Sequence, residues 1–361
     1  MKKLVFADQL RSIAALSVVF VHLCGGYWAW RDVIAGRIMA PPLDGPGSIQ
    51  EAIVGTFNFG PFGVSLFFLI SGFVIPFSLD KMRPGRFLLA RACRIYPTYI
   101  ACLMLGLFGA WLSSLYWHHP FTVKGEEFLY NALLIQNIKG TTSLDLVNWT
   151  LSIEIKFYIV MAALAAVGAH RHVRAFLALS GAIVIANYFA PRGSAGFALV
   201  RDLAFMPYML IGTVINLHMR GNLTARQALA SIAGLAAMFH CIAFFANIAG
   251  RPMPISLDIY QLNIAAFALA YVARDKFRPN RIVDFLASIS YPLYAVHSIV
   301  GYATLRASMS LGVPELPALF IAVALVVSLA YAVHRLIELP STQLGKRLAL
   351  PSSPRLSTSQ S

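Results

Sequence analysis

Ten apolar stretches, each long enough to cross a bilayer, divide this chain, at approximate limits 8–27, 60–79, 96–116, 147–169, 174–190, 199–218, 227–248, 256–273, 284–305 and 316–337. A hydrocarbon layer about 30 Å thick takes about 20 apolar helical residues to span, and a helix satisfies its own backbone polar groups, which lipid cannot. The pattern predicts an all-α polytopic membrane protein of about ten transmembrane helices. Composition agrees: of 361 residues, 58% are hydrophobic and 12% charged, against about 25% charged in a soluble domain. The formal net charge of +14 would suggest nucleic acid in a soluble protein. In this chain it reads as loop charge meeting membrane lipids, with no nucleic-acid partner.

An even number of spans places both termini on one side. Loops on that side hold nineteen Lys and Arg residues and the opposite loops hold seven, which predicts cytoplasmic termini. Arg11 interrupts the first apolar run and no small-residue cleavage site follows, so that run reads as an uncleaved anchor. Residues 1–345 read as one membrane domain and 346–361 as a disordered cytoplasmic tail, Ser/Pro-rich from Pro351. The long loops 28–59 and 117–146 then face outward. The first carries Gly45-Pro46-Gly47, and the second an apolar piece, Phe128 to Ile135, that reads as a re-entrant or interfacial helix. The chain has no internal repeat of the inverted-transporter kind. Its four cysteines are scattered without metal spacing, which predicts packing roles and no metal.

Ionisable residues inside membrane helices are costly and are functional candidates by default. Arg11 and His22 are eleven residues apart on the first span, about 16 Å along a helix and on roughly one face. Counting depth from the helix ends places His22, Glu154 and His297 in the same outer half. A carboxylate beside an imidazole fixes its tautomer and raises its basicity. The expected site is His22 as general base with Glu154 as its partner, weighed against a His–Glu pair that only locks two helices. On the opposite side, Arg91 and Arg94 share a helix face three residues apart. With Arg11 they would make a guanidinium cluster suited to phosphates, the bland alternative being positive-inside charge with snorkelling side chains. The picture is asymmetric: a phosphate-bearing donor from the cytoplasm and an acceptor from outside.

Six motifs give these residues a family. Leu10-Arg11 through Ala14 and Val18 to His22 fits L-R-x-x-A-x-x-x-V-x-x-x-H, and Gly63 to Phe73 fits G-V-x-L-F-F-x-x-S-G-F. Arg91 to Pro97 fits R-x-x-R-x-x-P, Trp149 to Tyr158 fits W-S-L-S-x-E-x-x-F-Y, Ser290 to His297 fits S-Y-x-x-Y-x-x-H, and Glu338 to Pro340 fits E-x-P. The chain resembles the acyltransferase-three family of integral membrane O-acyltransferases over residues 6–340. It departs from the pattern at Ser65 (often Asp), Thr150 (Ser) and Leu339 (Arg).

The resemblance implies an acyl-CoA donor, acetyl-CoA by family frequency, with its phosphates at Arg11, Arg91 and Arg94 and its pantetheine arm beside the stretch holding Ser71 and Gly72. It implies a carbohydrate or glycolipid acceptor and a bacterial inner-membrane location, and it is compatible with a homo-oligomer. Depth makes Asn148, Arg201, Asp202, Asp258, Tyr260 and His297 candidate acceptor contacts. Trp28, Trp30 and Trp149 are either sugar-stacking platforms or interface anchors. The rival class is a transporter or flippase that uses the Arg11–His22 helix as a path.

Overall fold

The computed structural model describes residues 4–43, 57–191, 195–248, 253 and 255–349. Helices account for all its regular structure, with no strand among the described residues. Eight helices have the length and apolar character of a membrane span: α1 (Val5–Ala29), α2 (Phe59–Leu79), α3 (Pro84–Trp117), α4 (Asn148–Ala166), α6 (Gly196–Met219), α7 (Ala225–Asn247), α9 (Arg281–Ser310) and α10 (Glu315–Ala349). Two shorter apolar helices, α5 (Val173–Phe189) and α8 (Leu257–Val272), complete the ten. The Gly45-Pro46-Gly47 turn and the tail from residue 350 lie outside the described residues, and α10 runs to Ala349, past the expected boundary at 345.

The centre of the bundle is α1, packed between α2 and α9; α3 and α10 lie against α9, and α6 and α8 against α2. Small residues set the closest crossings, because in lipid the gain comes from packing rather than from expelling water. A Cβ at Gly63 would press 2.6 Å from both the Ala14 carbonyl oxygen and Val18 Cγ2 on α1. A Cβ at Gly72 would overlap the Met209 carbonyl, and one at Gly212 the Leu69 carbonyl, so α2 and α6 touch backbone to backbone. The expected donor contact at Gly72 is thereby corrected: this position faces α6, where a passing chain has no room.

One end of the bundle is stitched by Asp80, at the end of α2. It accepts from Arg171 (2.5 Å) and from Arg220, and His170 Nε2 stands 3.8 Å away. These residues sit in the α2–α3, α4–α5 and α6–α7 connections, which the charge count assigns to one side. Gln9 of α1 also donates to the Arg278 carbonyl in the α8–α9 connection (2.6 Å).

At the other end, the segment before α4 folds inward. Short helices cover Gly125–Ala132 and Gln136–Lys139. Fully buried Asn148 then ties the segment together. Its Oδ1 accepts from Gln136 (2.9 Å) and Ser143 (2.7 Å), while its Nδ2 reaches the Tyr99 hydroxyl (2.9 Å) and Asn131 Oδ1 (2.7 Å). Leu134 and Leu146 hold positive φ of 58° and 63°. Such backbone costs roughly 1–3 kcal/mol for a non-glycine residue and persists only where surroundings over-determine it.

Asp145 lies in the same segment. Its Oδ1 accepts from the Val147 and Asn148 amides, and its buried Oδ2 has no hydrogen-bond partner among the described residues. Burial pushes its carboxyl up to about 6, above about 3.9 for the unfolded chain. The fold therefore favours the neutral acid: this carboxyl's contribution to stability is greatest below about pH 4 and is lost as pH rises through 6, by about 3 kcal/mol in all. Melting in detergent between pH 4 and 7 should show this slope, and Asp145→Asn should flatten it; an equal slope in the variant refutes the assignment.

Candidate active site

Two cavities lie along α2. The narrow one, ≈ 80 Å³, is bordered by Arg11, Arg91, Arg94, Ser71, Glu154 and Tyr158, among others. The wide one, ≈ 830 Å³, is bordered by His22, Trp30, Trp149, Arg201, Asp202 and Tyr260, among others. The helical repeat explains the arrangement. On α2, Gly60 and Val64 face the wide cavity, while Val64, Phe67, Ser71 and Val74 face the narrow one, which is one stripe at spacings of three and four. On α1, Arg11 borders the narrow cavity, and Val18 and His22 the wide one. The first helix thus spans from one cavity to the other, as the eleven-residue spacing predicts.

His22 starts a π-helical stretch, His22–Gly26, inside α1; such widened turns are frequent at functional sites. Its Nδ1 lies 2.8 Å from His297 Nε2, with the two rings nearly parallel (16°). The tautomers follow from the far end of this pair. His297 Nδ1 is 2.8 Å from the Tyr294 carbonyl and 3.2 Å from that of Leu293. A carbonyl only accepts, so Nδ1 of His297 carries a proton and its Nε2, in the neutral ring, accepts. His22 then donates through Nδ1, which leaves its Nε2 bare on a side chain that borders the wide cavity. A lone pair held in place in this way is what a general base requires.

Glu154 is elsewhere. Its Oε1 accepts from Ser71 (2.8 Å) and from the Tyr158 hydroxyl, within the cavity bordered by three arginines. The expected His22–Glu154 pair is corrected to His22–His297. Rise along a helix fixes a residue's level only relative to a start that the sequence does not locate, and the start of α4 is enclosed by protein at Asp145, Val147 and Asn148.

The arginines do converge. Arg91 donates to Ser78 (2.5 Å) and lies over the rings of Phe87 and Tyr158, and Arg11 pairs with Asp8 at 3.2 Å. Among the described residues no side-chain hydrogen bond or ion pair holds Arg94. Of the expected acceptor contacts, Trp149, Arg201, Asp202 and Tyr260 border the wide cavity, whereas Asn148, His297 and Asp258 border neither. Asn148 spends its amide on the loop, and His297 spends Nδ1 on the Tyr294 and Leu293 carbonyls and Nε2 on His22. Asp202 is itself engaged, 2.8 Å from Lys156 Nζ, which also donates to Ser152 (2.6 Å). The Tyr260 hydroxyl is buried without a hydrogen-bond partner among the described residues. Among the described residues no group of three or more His, Cys, Asp or Glu is arranged to hold a metal ion.

A family model described as "Acyltransferase domain" matches residues 4–335. The chain belongs to the acyltransferase-three family. It is an integral membrane acyltransferase, and five of the six motifs contribute residues to the walls of the two cavities. Among curated proteins, this acyltransferase is similar to "Exopolysaccharide production protein ExoZ" of Rhizobium meliloti (strain 1021), 25% identical over 305 residues, which is 80% of this chain and 92% of the relative. "Nodulation protein 10" of Rhizobium leguminosarum bv. viciae is 28% identical over 170 residues, 43% of this chain and 42% of that one. No solved structure matches.

Two of the departures from the family pattern, Ser65 and Thr150, are accommodated by hydrogen bonds. Ser65 donates to the Pro61 carbonyl (2.7 Å) and accepts from Asn263 of α8 (2.5 Å). Thr150 Oγ1 lies 2.6 Å from the Tyr294 hydroxyl. Sequence reasoning passed over two contributors, Tyr158 on Glu154 and Lys156 on Ser152. Each lies four residues beyond its partner on a helix, and that spacing alone could have found them.

Proposed function

We propose that this acyltransferase moves an acyl group, acetyl first, from cytoplasmic acyl-CoA to a hydroxyl of a sugar, polysaccharide or glycolipid in a bacterial inner membrane, with both termini cytoplasmic. The observation that carries the reading is the bare Nε2 of His22, fixed by His297 at the wide cavity. The narrow cavity is bordered by Arg11, Arg91 and Arg94, and the donor's pantetheine arm is assigned to this side because its other end carries the phosphates. The nucleotide phosphates then stay at its mouth, reached by the guanidinium of Arg94, by the exposed Arg86 about two turns earlier on α3 and by the exposed Arg83 just before that helix. The wide cavity, with its aromatic walls and Arg201, suits a glycan. Names of the relatives point the same way: one is an exopolysaccharide production protein.

In the reaction, the acceptor hydroxyl gives its proton to His22 Nε2 as its oxygen attacks the thioester carbonyl. The tetrahedral intermediate expels the CoA thiolate, and the imidazolium returns the proton to that sulfur. The products are an ester and free CoA, and the histidine ends neutral. Purified protein incubated with radiolabelled acetyl-CoA and oligosaccharides of bacterial exopolysaccharides should yield labelled glycan whose label is released by hydroxylamine, as an ester requires. Absence of label across acyl-CoAs and acceptors overturns the donor assignment.

A further inference from the structure

The two cavities share a wall. Val64 of α2 and Tyr294 of α9 are the residues that border both, and each is nearly buried, at 7% and 6% exposure. Tyr294 is held still: its hydroxyl meets Thr150 Oγ1 at 2.6 Å and the Val147 carbonyl at 3.3 Å, and its ring stands edge-on to Phe67 with centroids 5.5 Å apart. Phe67 follows Val64 by three residues, so both lie on the cavity face of α2. The neck is therefore two rings and an isopropyl group, and its one polar atom, the Tyr294 hydroxyl, is already engaged.

If the acyl-CoA reading holds, this neck lies at the reacting bond. The sulfur arrives with the pantetheine arm from the narrow side, while the base stands on the wide side. The carbonyl carbon must sit between them, and whatever follows it in the acyl group rests against Val64, Phe67 and Tyr294. We infer that these three side chains form an acyl-size filter that admits a two-carbon group and rejects longer or charged ones. Each extra methylene in a tight apolar site is worth about ten- to two-hundredfold in discrimination. A dicarboxylic acyl group would bury a carboxylate against side chains with no donor to offer it.

The filter is tested by competition. Acetyl-, propionyl- and butyryl-CoA at equal concentration are offered to the full-length protein with an acceptor glycan, and the esters are counted by mass spectrometry. The wild type should lose about tenfold or more in kcat/KM per added methylene. Val64→Ala should raise the butyryl-to-acetyl ratio about tenfold, and Phe67→Leu, a milder change should the first variant fold poorly, should move it in the same direction. A merely structural role lowers transfer of all three groups together and leaves the ratio fixed. An unchanged ratio in the folded variants, or equal use of all three donors by the wild type, overturns the filter. Should the wild type transfer none of the three, the donor reading itself has failed, and the filter falls with it.

Discussion

His22→Ala should lower turnover by about 10²- to 10⁴-fold, the range that a positioned general base supplies, while acyl-CoA binding survives. The two effects separate because His22 borders the wide cavity, whereas Arg11, Arg91 and Arg94 border the narrow one. His297→Ala leaves the base in place but removes the acceptor of its Nδ1 proton, 2.8 Å away. The His22 proton is then free to sit on either nitrogen and the ring on either side of its rotamer, so kcat should fall about tenfold or more with the KM for the donor unchanged. His297→Gln keeps an acceptor at that site and should recover part of the loss. Steady-state kinetics on the three variants, with donor affinity measured separately, checks the order. Wild-type turnover by His22→Ala would remove the base from the mechanism.

How legible this arrangement is in the sequence depends on which forces set each part. Span positions follow from apolar run length, and all ten expected helices are present. Ends fail where charge and helix coincide. The apolar run of the third span begins near 96, yet α3 starts at Pro84, because Pro suits a first turn and arginines are good helix formers. Arg86, Arg91 and Arg94 are thus on the helix rather than in a loop. The last apolar run fades at 337, while α10 continues through a π-turn at His334–Glu338 to Ala349. Partnerships across the bundle are harder still. The His22–His297 bond joins residues 275 apart in sequence and exists because α1 packs on α9. Counting along helices puts both His297 and Glu154 beside His22, but only His297 is bonded to it, because nothing local reveals that Glu154 meets Ser71 of α2 and Tyr158 instead.

Relocating Glu154 reverses what its substitution should do. As a partner of His22, its loss would slow turnover and shift the pH–rate profile. In the narrow cavity it shares the wall with three arginines, held by Ser71 and Tyr158, and under the proposed donor reading its charge competes with incoming phosphates for Arg94. Glu154→Gln should leave the pH–rate profile where it is and lower the KM for acyl-CoA. Arg94→Ala should do the opposite. Its guanidinium has no side-chain hydrogen bond or ion pair among the described residues, so it is the arginine with most to give an incoming anion. A hydrogen bond to a charged group is worth about 1.5–3 kcal/mol, so KM should rise about ten- to a hundredfold. The wild-type KM should also climb with salt, since ions screen the attraction at the cavity mouth, and the climb should be shallower in Arg94→Ala. Donor titrations at several ionic strengths, with pH profiles for both variants, decide between the two placements of Glu154. A shifted profile in Glu154→Gln with KM unmoved would return the carboxylate to the base and overturn the donor-side role.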